Sequence, residues 1–210
     1  MARGTAYIIG AGSFCTLGFK PGPNDIIIAA DGGFDRLNRA GIRPHLLIGD
    51  MDSIRTVPPG IARLRFPARK DDTDMALAIK AARRMGYARF KLYGALGGRL
   101  DHTLANLQLL ADLAQTDCQA RVIDQDVIIY AVHDGTLTLP PLEPGRTISV
   151  FSWTNQAKGA TLKGLAYSLF NATLANTKPL GVSNAARGKP IKISVKSGTL
   201  MVMLANRPYE

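Results

Sequence analysis

Up to about residue 125, short apolar runs alternate with longer stretches in which apolar residues recur at helical spacing. Short runs bounded by turn residues predict buried strands, here residues 6–9, 25–30, 45–48, 63–66, 90–93 and 119–123. Helical stripes predict three helices, marked by Phe34, Leu37 and Ala40, by Leu77, Ala81 and Met85, and by Leu104, Leu107, Ala111 and Ala114. Strands that alternate with helices indicate parallel βαβ units. Residues 1–125 are therefore predicted to form an α/β domain whose mostly parallel sheet is flanked by helices.

After about residue 125 the helical stripes stop and only short runs remain. They cover residues 127–132, 135–139, 147–153, 160–165, 191–195 and 199–204. Asp-Gly, Pro-Gly, Lys-Gly and Ser-Gly dipeptides, which favour turns, fall among them. Residues 126–210 are therefore predicted to form a second, all-β domain, built as a sandwich or a barrel.

The composition is that of an ordinary globular protein, with 46% apolar and 20% charged residues. A net charge of +10 raises nucleic acid as a partner. The basic residues are spread along the chain without the aromatic-plus-basic motif of a known binding module, so we expect no nucleic-acid partner. A nucleotide triphosphate would suit a basic surface equally well. No apolar stretch is long enough to span a membrane, and two distant cysteines, Cys15 and Cys118, indicate reduced thiols in the cytoplasm.

Aspartate dominates the acidic residues, with 14 Asp against 2 Glu, and 12 of those aspartates precede residue 125. Turns, helix caps and metal sites prefer the shorter acid. Four aspartates follow predicted strands, namely Asp31, Asp50, Asp52 and Asp101. Two more, Asp71 and Asp74, open a predicted helix. A parallel sheet would gather all six along one edge, where α/β folds bind ligands. Helix capping explains two or three of them, Asp101 included, but not six beside three glycine-rich turns.

The segment Gly49-Asp50-Met51-Asp52-Ser53 places two carboxylates just past a buried strand. Two such carboxylates repel each other unless a cation lies between them, and oxygen ligands suit Mg²⁺. The alternative is a solvated loop in which Asp50 or Ser53 caps the next element.

Glycine turns let backbone N–H groups approach phosphate, and Arg99 is placed to bind phosphate or to form a surface ion pair. The turn at Gly10 lacks the full dinucleotide-binding spacing and is a weak signal. Together these features indicate metal-assisted chemistry on a polyphosphate, without a P-loop or a protein-kinase signature.

Several of these motifs resemble, in order and spacing, the catalytic domain of the thiamine pyrophosphokinase family. They are Asp31-Gly32-Gly33, Gly49-Asp50-Met51-Asp52-Ser53, Asp71-Asp72-Thr73-Asp74 and Gly97-Gly98-Arg99-Leu100-Asp101-His102. Two later motifs resemble the thiamine-binding β-domain of that family, and these are Gly164-Leu165-Ala166-Tyr167-Ser168-Leu169 and Gly181-Val182-Ser183-Asn184. The resemblance extends over nearly the whole chain.

The resemblance implies transfer of a pyrophosphoryl group from ATP to the hydroxyl of thiamine, giving thiamine diphosphate and AMP. It also implies Mg²⁺ and a homodimer with thiamine in a cleft between subunits. The implied catalytic residues are Asp50, Asp52, Asp71, Asp74 and Asp101, of which Asp50, Asp52 and Asp71 would bind the metal. The implied ATP and phosphate contacts are Asp31, Gly32, Gly33, Lys70, Gly97, Gly98 and Arg99, and the implied thiamine contacts are Tyr167, Ser183 and Asn184.

Some roles stay open at this point. The general base is either Asp71 or Asp101, and His102 either orients Asp101 or caps its helix. Trp153, the only tryptophan, lies outside the matched motifs and is expected to pack in a core or an interface. Two other functions are alternatives: a Mg²⁺-dependent pyrophosphokinase that acts on another alcohol, such as a pterin, and a non-catalytic thiamine or nucleotide sensor. The β-domain motifs disfavour the first, and the complete set of motif aspartates disfavours the second.

Overall fold

The computed structural model describes residues 3–51, 59–67, 69 and 71–207. Three residues singled out above, Asp52, Ser53 and Lys70, lie outside the described residues. The chain divides into two compact units. Unit 1 contains the described residues up to Leu109 together with Asp117–Gln125, and unit 2 contains Leu110–Thr116 and the described residues from Asp126 onward.

Unit 1 is an α/β structure. Its strands are β1 (Thr5–Ile9), β2 (Ile26–Ala30), β3 (Leu46–Gly49), β4 (Ala62–Arg65), β5 (Arg89–Tyr93) and β6 (Gln119–Ile123). Its helices are α1 (Gly33–Arg39), α2 (Asp74–Arg84) and α3 (Leu100–Ala114), the last of which continues into unit 2. The strands lie in the order β6-β5-β1-β2-β3-β4, and every pair among them is parallel. The predicted parallel α/β fold is confirmed.

The central strands of unit 1 are buried because both faces of a parallel sheet are normally covered. Four consecutive residues of β1 and of β2, and all of β3, are buried, whereas the edge strand β4 is exposed throughout. Strands buried on both faces require continuous apolar runs, so the apolar pattern of the sequence predicted where these strands lie. Helices α1 and α2 pack against β1 and β2.

One predicted helix start is wrong. Helix α3 begins at Leu100, so Asp101 lies inside its first turn instead of preceding the helix as a cap. The side chain of Asp101 nevertheless accepts a backbone hydrogen bond, from the N–H of His102 at 2.9 Å. A carboxylate in the first turn of a helix still favours the positive end of the macrodipole.

The long connection between β1 and β2 is tied to the sheet by side chains of β1 and β5. The hydroxyl of Tyr93 donates to the carbonyl of Leu17 at 2.9 Å, and Lys91 Nζ donates to the carbonyl of Gly18 at 3.0 Å. Phe19 packs edge-on against the Tyr93 ring at a centroid distance of 5.4 Å. Burial raises the pKa of the Tyr93 hydroxyl, so it remains a donor. The connection is therefore fixed over the face of the sheet.

Apart from the end of helix α3, unit 2 consists of β-strands, as predicted for the second half of the chain. Its strands are β7 (Val127–His133), β8 (Thr136–Leu139), β9 (Thr147–Ser152), β10 (Gln156–Lys163), β11 (Leu169–Ala175), β12 (Gly181–Ala185), β13 (Ile191–Ser194) and β14 (Thr199–Ala205). They run antiparallel in the orders β12-β9-β14-β7 and β11-β10-β13-β8. Buried residues from both sets of strands share one core, as in a sandwich.

The sequence pattern missed β11 and β12. Asn171 in β11 and Ser183 in β12 both adopt the left-handed conformation, with φ of 50° and 54°. In β12 the pairing with β9 shifts between Gly181 and Asn184, as at a β-bulge. These irregularities interrupt the strict alternation of buried and exposed positions by which a half-buried strand is recognised.

Candidate functional site

A cleft of about 320 Å³ lies at the carboxyl ends of β1, β2 and β5 in unit 1. This is the edge of a parallel sheet where ligands bind in α/β folds. Turns after the three strands and the first turns of two helices form its walls. The lining residues are Gly10, Ala11, Gly12, Ala30, Asp31, Thr73, Asp74, Met75, Gly94, Ala95, Gly97, Gly98, Arg99, His102 and Asn106.

The turns after β1 and β5 are joined by main-chain hydrogen bonds. Gly10 N–H donates to the carbonyl of Tyr93 at 2.8 Å, and Gly12 N–H donates to the carbonyl of Gly94 at 2.9 Å. Arg36 of α1 adds a side-chain clamp, because its Nε and Nη2 donate to the carbonyl of Ala11 at 3.1 and 2.9 Å. One continuous glycine-rich wall results. Sequence reasoning gave the turn after β1 too little weight because it lacks the full dinucleotide-binding spacing.

Two of the predicted aspartates line the cleft. Asp31 follows β2 and adopts the left-handed conformation, with φ of 45°. Its N–H donates to the carbonyl of Ile48 at 2.7 Å, which ties it to the neighbouring strand β3. Asp74 is the first residue of α2, whose N-cap Thr73 accepts a hydrogen bond from Ala76 N–H at 3.2 Å. The cleft therefore receives carboxylates from two separate elements.

Three other predicted aspartates are described by the structure but are not among the residues that line the cleft, namely Asp50, Asp71 and Asp101. Asp50 follows β3, and a Cβ added at Gly49 would lie 3.2 Å from the Cα of Asp31. The register of β2 and β3 thus places Gly49 beside Asp31 at the sheet edge, and Asp50 is the next residue along the chain. Asp71 is exposed just before α2.

Arg99 is engaged in an ion pair with Asp101. Its Nε and Nη2 donate to the two carboxylate oxygens at 3.1 and 2.6 Å. The hydrogen bond from Arg99 lowers the pKa of Asp101, and the same bond raises the pKa of Arg99. The pair is therefore intact at neutral pH, and it is lost only as the pH falls through the lowered pKa of Asp101. Both side chains are largely exposed, so a bound phosphate could replace Asp101 as the partner of Arg99 at small cost.

Gly97 and Gly98 form the tip of the turn after β5. Both adopt left-handed φ values, 80° and 71°, which side chains disfavour. Successive N–H groups in such turns form concavities that bind anions. The predicted glycines Gly32 and Gly33 lie at the start of α1, where Gly32 precedes the first helical residue.

His102 lines the cleft from the first turn of α3. Its backbone N–H donates a hydrogen bond to Asp101. Asn106 lies one turn further along the same helix, is 7% exposed, and also lines the cleft. Sequence reasoning did not single out Asn106, which lies off the apolar stripe that predicts this helix.

The carboxylates of this edge suit Mg²⁺ in type, since oxygen ligands are the ones it prefers. Within the described part of the chain, no three His, Cys, Asp or Glu side chains are gathered closely enough to hold a metal ion. Mg²⁺ in nucleotide sites is often held by one or two carboxylates together with substrate phosphates. Asp50 and Asp71, which the resemblance implies as metal ligands, are carboxylates of that type.

The predicted thiamine residues lie in unit 2. Asn184 is buried, and its amide makes two hydrogen bonds to the backbone of Tyr167, accepting from its N–H at 2.9 Å and donating to its carbonyl at 2.6 Å. The Tyr167 side chain is 72% exposed. Ser183 is exposed in the bulge of β12 and donates its N–H to Ser149 Oγ at 3.1 Å. Asn184 thus holds the main chain from which the Tyr167 ring projects. Trp153 is half-buried at the end of β9.

No helix among the described residues is long and apolar enough to cross a membrane.

Comparison with known proteins gives consistent matches to one family. Residues 23–122 match the model of the thiamin pyrophosphokinase catalytic domain, and residues 136–200 match that of the thiamin pyrophosphokinase vitamin B1 binding domain. A thiamine pyrophosphokinase of Bacillus subtilis (strain 168) is 32% identical over 163 residues, which are 75% of this chain and 76% of that protein.

Solved structures show the same likeness over almost the full length. The crystal structure of thiamine pyrophosphokinase from Bacillus subtilis aligns with a TM-score of 0.86 at 27% identity, covering 97% of this chain and 100% of that one. The crystal structure of thiamin pyrophosphokinase from Geobacillus thermodenitrificans aligns with a TM-score of 0.83 at 27% identity, covering 97% and 98%.

Proposed function

The chain belongs to the thiamine pyrophosphokinase family, and from this premise we propose how its residues divide the reaction. The family's activity is the transfer of a pyrophosphoryl group to thiamine, with ATP as co-substrate. In our proposal the cleft of unit 1 binds the polyphosphate of ATP, and the Tyr167 region of unit 2 binds thiamine. The observation that carries the first assignment is the glycine-rich cleft at the strand ends, lined by Asp31 and Asp74.

The phosphate contacts come from the turn after β5. The N–H groups of Gly97 and Gly98 bind phosphate oxygens at the tip of the turn, where both residues have left-handed φ. Arg99 leaves Asp101 and donates two hydrogen bonds to the same phosphates. The planar guanidinium is suited to this bidentate geometry. Gly32, Gly33 and Lys70 complete this set in the proposal, although Lys70 lies outside the described residues.

The metal ligands of the proposal are Asp50, Asp52 and Asp71, with Asp52 outside the described residues. Asp50 follows β3, Asp71 precedes α2, whose first residue Asp74 lines the cleft, and phosphate oxygens would complete the coordination. Bound Mg²⁺ would neutralise phosphate charge and align the reacting groups. The protein's own task is to hold the polyphosphate so that an in-line attack is possible.

The bond changes follow from the products. The hydroxyl oxygen of thiamine forms a bond to the β-phosphorus of ATP, and the bond from that phosphorus to the α–β bridging oxygen breaks, so AMP leaves. The hydroxyl proton passes to a carboxylate, with Asp71 and Asp101 as the candidates. While Arg99 donates to Asp101, the lowered pKa of Asp101 makes it a poor base. A move of Arg99 from Asp101 to the phosphates would remove the main cause of the lowered pKa and make Asp101 a better base.

On the thiamine side, the proposal gives Tyr167 direct contact and Asn184 a positioning role. The thiazolium ring of thiamine is a cation, and an aromatic face attracts cations. The two hydrogen bonds between the Asn184 amide and the Tyr167 main chain, one accepted and one donated by Asn184, fix the backbone of Tyr167, and Ser183 lies in the neighbouring bulge. A homodimer with thiamine between subunits, and a cytoplasmic location in which Cys15 and Cys118 stay thiols, belong to the same proposal.

Replacing Tyr167 by Ala should raise the KM for thiamine about tenfold and change the KM for ATP by less than about twofold, because only the thiamine site loses its aromatic face. The matched control is Tyr167→Phe, which keeps the ring and should behave like the wild type. Steady-state kinetics with each substrate varied in turn measures both constants. A similar rise in the two KM values would remove Tyr167 from the thiamine site.

The proposal is tested by incubating the protein with thiamine, ATP and Mg²⁺ and quantifying nucleotides and thiamine esters. We expect AMP and thiamine diphosphate in equimolar amounts, and no product when EDTA replaces Mg²⁺. A pterin alcohol in place of thiamine is the substrate control and should give no AMP. Release of ADP, or no turnover with thiamine, would contradict the assignment.

A further inference from the structure

Asn106 is an unusual residue for its position in α3. It is one of four buried polar or charged residues among those described, the others being Ser152, Asn184 and Thr199. Asn is a poor helix former in a helix interior, and burying an amide is costly unless it is hydrogen-bonded. Leu110, one turn further along the same face, is an ordinary apolar core residue. An apolar side chain would be expected at position 106 if packing were its only task.

The amide of Asn106 is used on the cleft wall. Its Nδ2 donates to the carbonyl of Ala95 at 2.7 Å, and Ala95 is only 3% exposed. The carbonyls on either side of Ala95 are bonded as well: Gly94 accepts from Gly12 N–H and Leu96 accepts from Ser13 N–H, both at 2.9 Å. Three consecutive carbonyls of the turn after β5 are therefore held by donors from outside that turn.

This arrangement fixes the orientation of the turn. Because each held carbonyl sets the direction of its peptide unit, the backbone enters Gly97 and Gly98 in one defined conformation. Two of the three donors are backbone N–H groups, which a substitution leaves in place unless it introduces proline. The third donor, the amide of Asn106, belongs to a side chain.

We propose that Asn106 is a positioning residue for polyphosphate binding, acting through the carbonyl of Ala95 on the turn that carries Gly97, Gly98 and Arg99. The inference rests on the proposed function only in taking the ligand of this turn to be the polyphosphate of ATP. Without Asn106 the buried carbonyl of Ala95 lacks its donor, and the peptide unit turns to find another. The N–H groups downstream then leave the geometry that fits phosphate.

The test compares Asn106→Leu, which is close in volume, and Asn106→Ser, which is too short to reach Ala95. The affinity for ATP is measured by titration calorimetry with Mg²⁺ and without thiamine, and KM and kcat are measured for both substrates. Both variants should bind ATP at least about tenfold more weakly, with the KM for thiamine within about twofold of the wild type. The control is Gln108→Leu, at an exposed position of the same helix, and it should bind ATP like the wild type.

The possible results distinguish a failure of the proposed function from a failure of the positioning role of Asn106. If the wild type binds no ATP, the proposed function fails. If the wild type binds ATP and both Asn106 variants bind it equally well, the proposed function stands and the positioning role is overturned. A fall in kcat with unchanged ATP affinity would also overturn it, since that is the effect of a lower folded fraction alone. Should Asn106→Leu not fold, the ATP affinity of Asn106→Ser decides.

Discussion

Replacing Asp50 by Asn should lower kcat at least about 100-fold while the protein stays folded, because the amide keeps the shape of the side chain and loses its charge. The backbone carbonyl of Asp50 accepts a hydrogen bond from Arg65 Nε at 3.1 Å, and that contact does not involve the side chain. Activity measured over a range of Mg²⁺ concentrations should show a higher requirement for the ion in the variant. Thermal unfolding checks that the fold is retained.

The matched control for this charge removal is Asp72→Asn. Asp72 belongs to the neighbouring acidic motif, but both of its carboxylate oxygens bond to Lys80 Nζ at 2.7 Å, on the outer side of α2. An exposed pair of this kind contributes little to stability, so the variant should keep near-wild-type activity. If Asp50→Asn were as active as Asp72→Asn at low Mg²⁺, Asp50 would not be a metal ligand.

Gly33→Ala should be the most destabilising single substitution among the motif glycines of unit 1. A Cβ at this position would lie 1.9 Å from the carbonyl oxygen of Ile9 and 2.6 Å from its carbonyl carbon. Both atoms belong to the buried strand β1, which is paired on both sides and has no room to shift. We expect the free energy of unfolding to fall by at least about 3 kcal/mol, or the protein to be recovered unfolded.

The adjacent Gly32→Ala is the control for this effect. Its added Cβ would approach Ala11 alone, at 3.0 Å from its Cβ and 3.7 Å from its Cα, and the φ of −56° at Gly32 suits any residue. Denaturant unfolding of the two variants should therefore differ by about 2 kcal/mol or more. Equal stability of Gly33→Ala and the wild type would mean that α1 does not approach β1 as closely as the structure has it.

Much of unit 1 could be predicted from the sequence because of how its strands are buried. Strands β1, β2 and β3 lie in the middle of a parallel sheet, so their residues form continuous apolar runs. The rule that such strand ends bind ligands placed Asp31 at the ligand edge, and Asp31 lines the cleft, whereas Asp50 after β3 does not. The α/β fold was within reach of this reasoning, whereas the family was indicated by the resemblance of the acidic and glycine-rich motifs to those of a known family.

The remaining features depend on contacts between distant segments, which a local pattern does not encode. The turn at Gly10 forms part of the cleft because it bonds to the turn after β5, more than 80 positions later in the chain. Asn106 gains its role from the carbonyl of Ala95. The ion pair between Arg99 and Asp101 was an alternative from the sequence alone, and it is what the structure contains.

The central claim is that this chain moves the two terminal phosphates of ATP to thiamine as one unit. The most direct measurement uses ATP carrying an isotopic label in its β-phosphate, incubated with thiamine, Mg²⁺ and the protein, followed by separation of the products. Our account predicts that the label appears in thiamine diphosphate and that the AMP is unlabelled. Label recovered in ADP, with only the γ-phosphate transferred to thiamine, would contradict it.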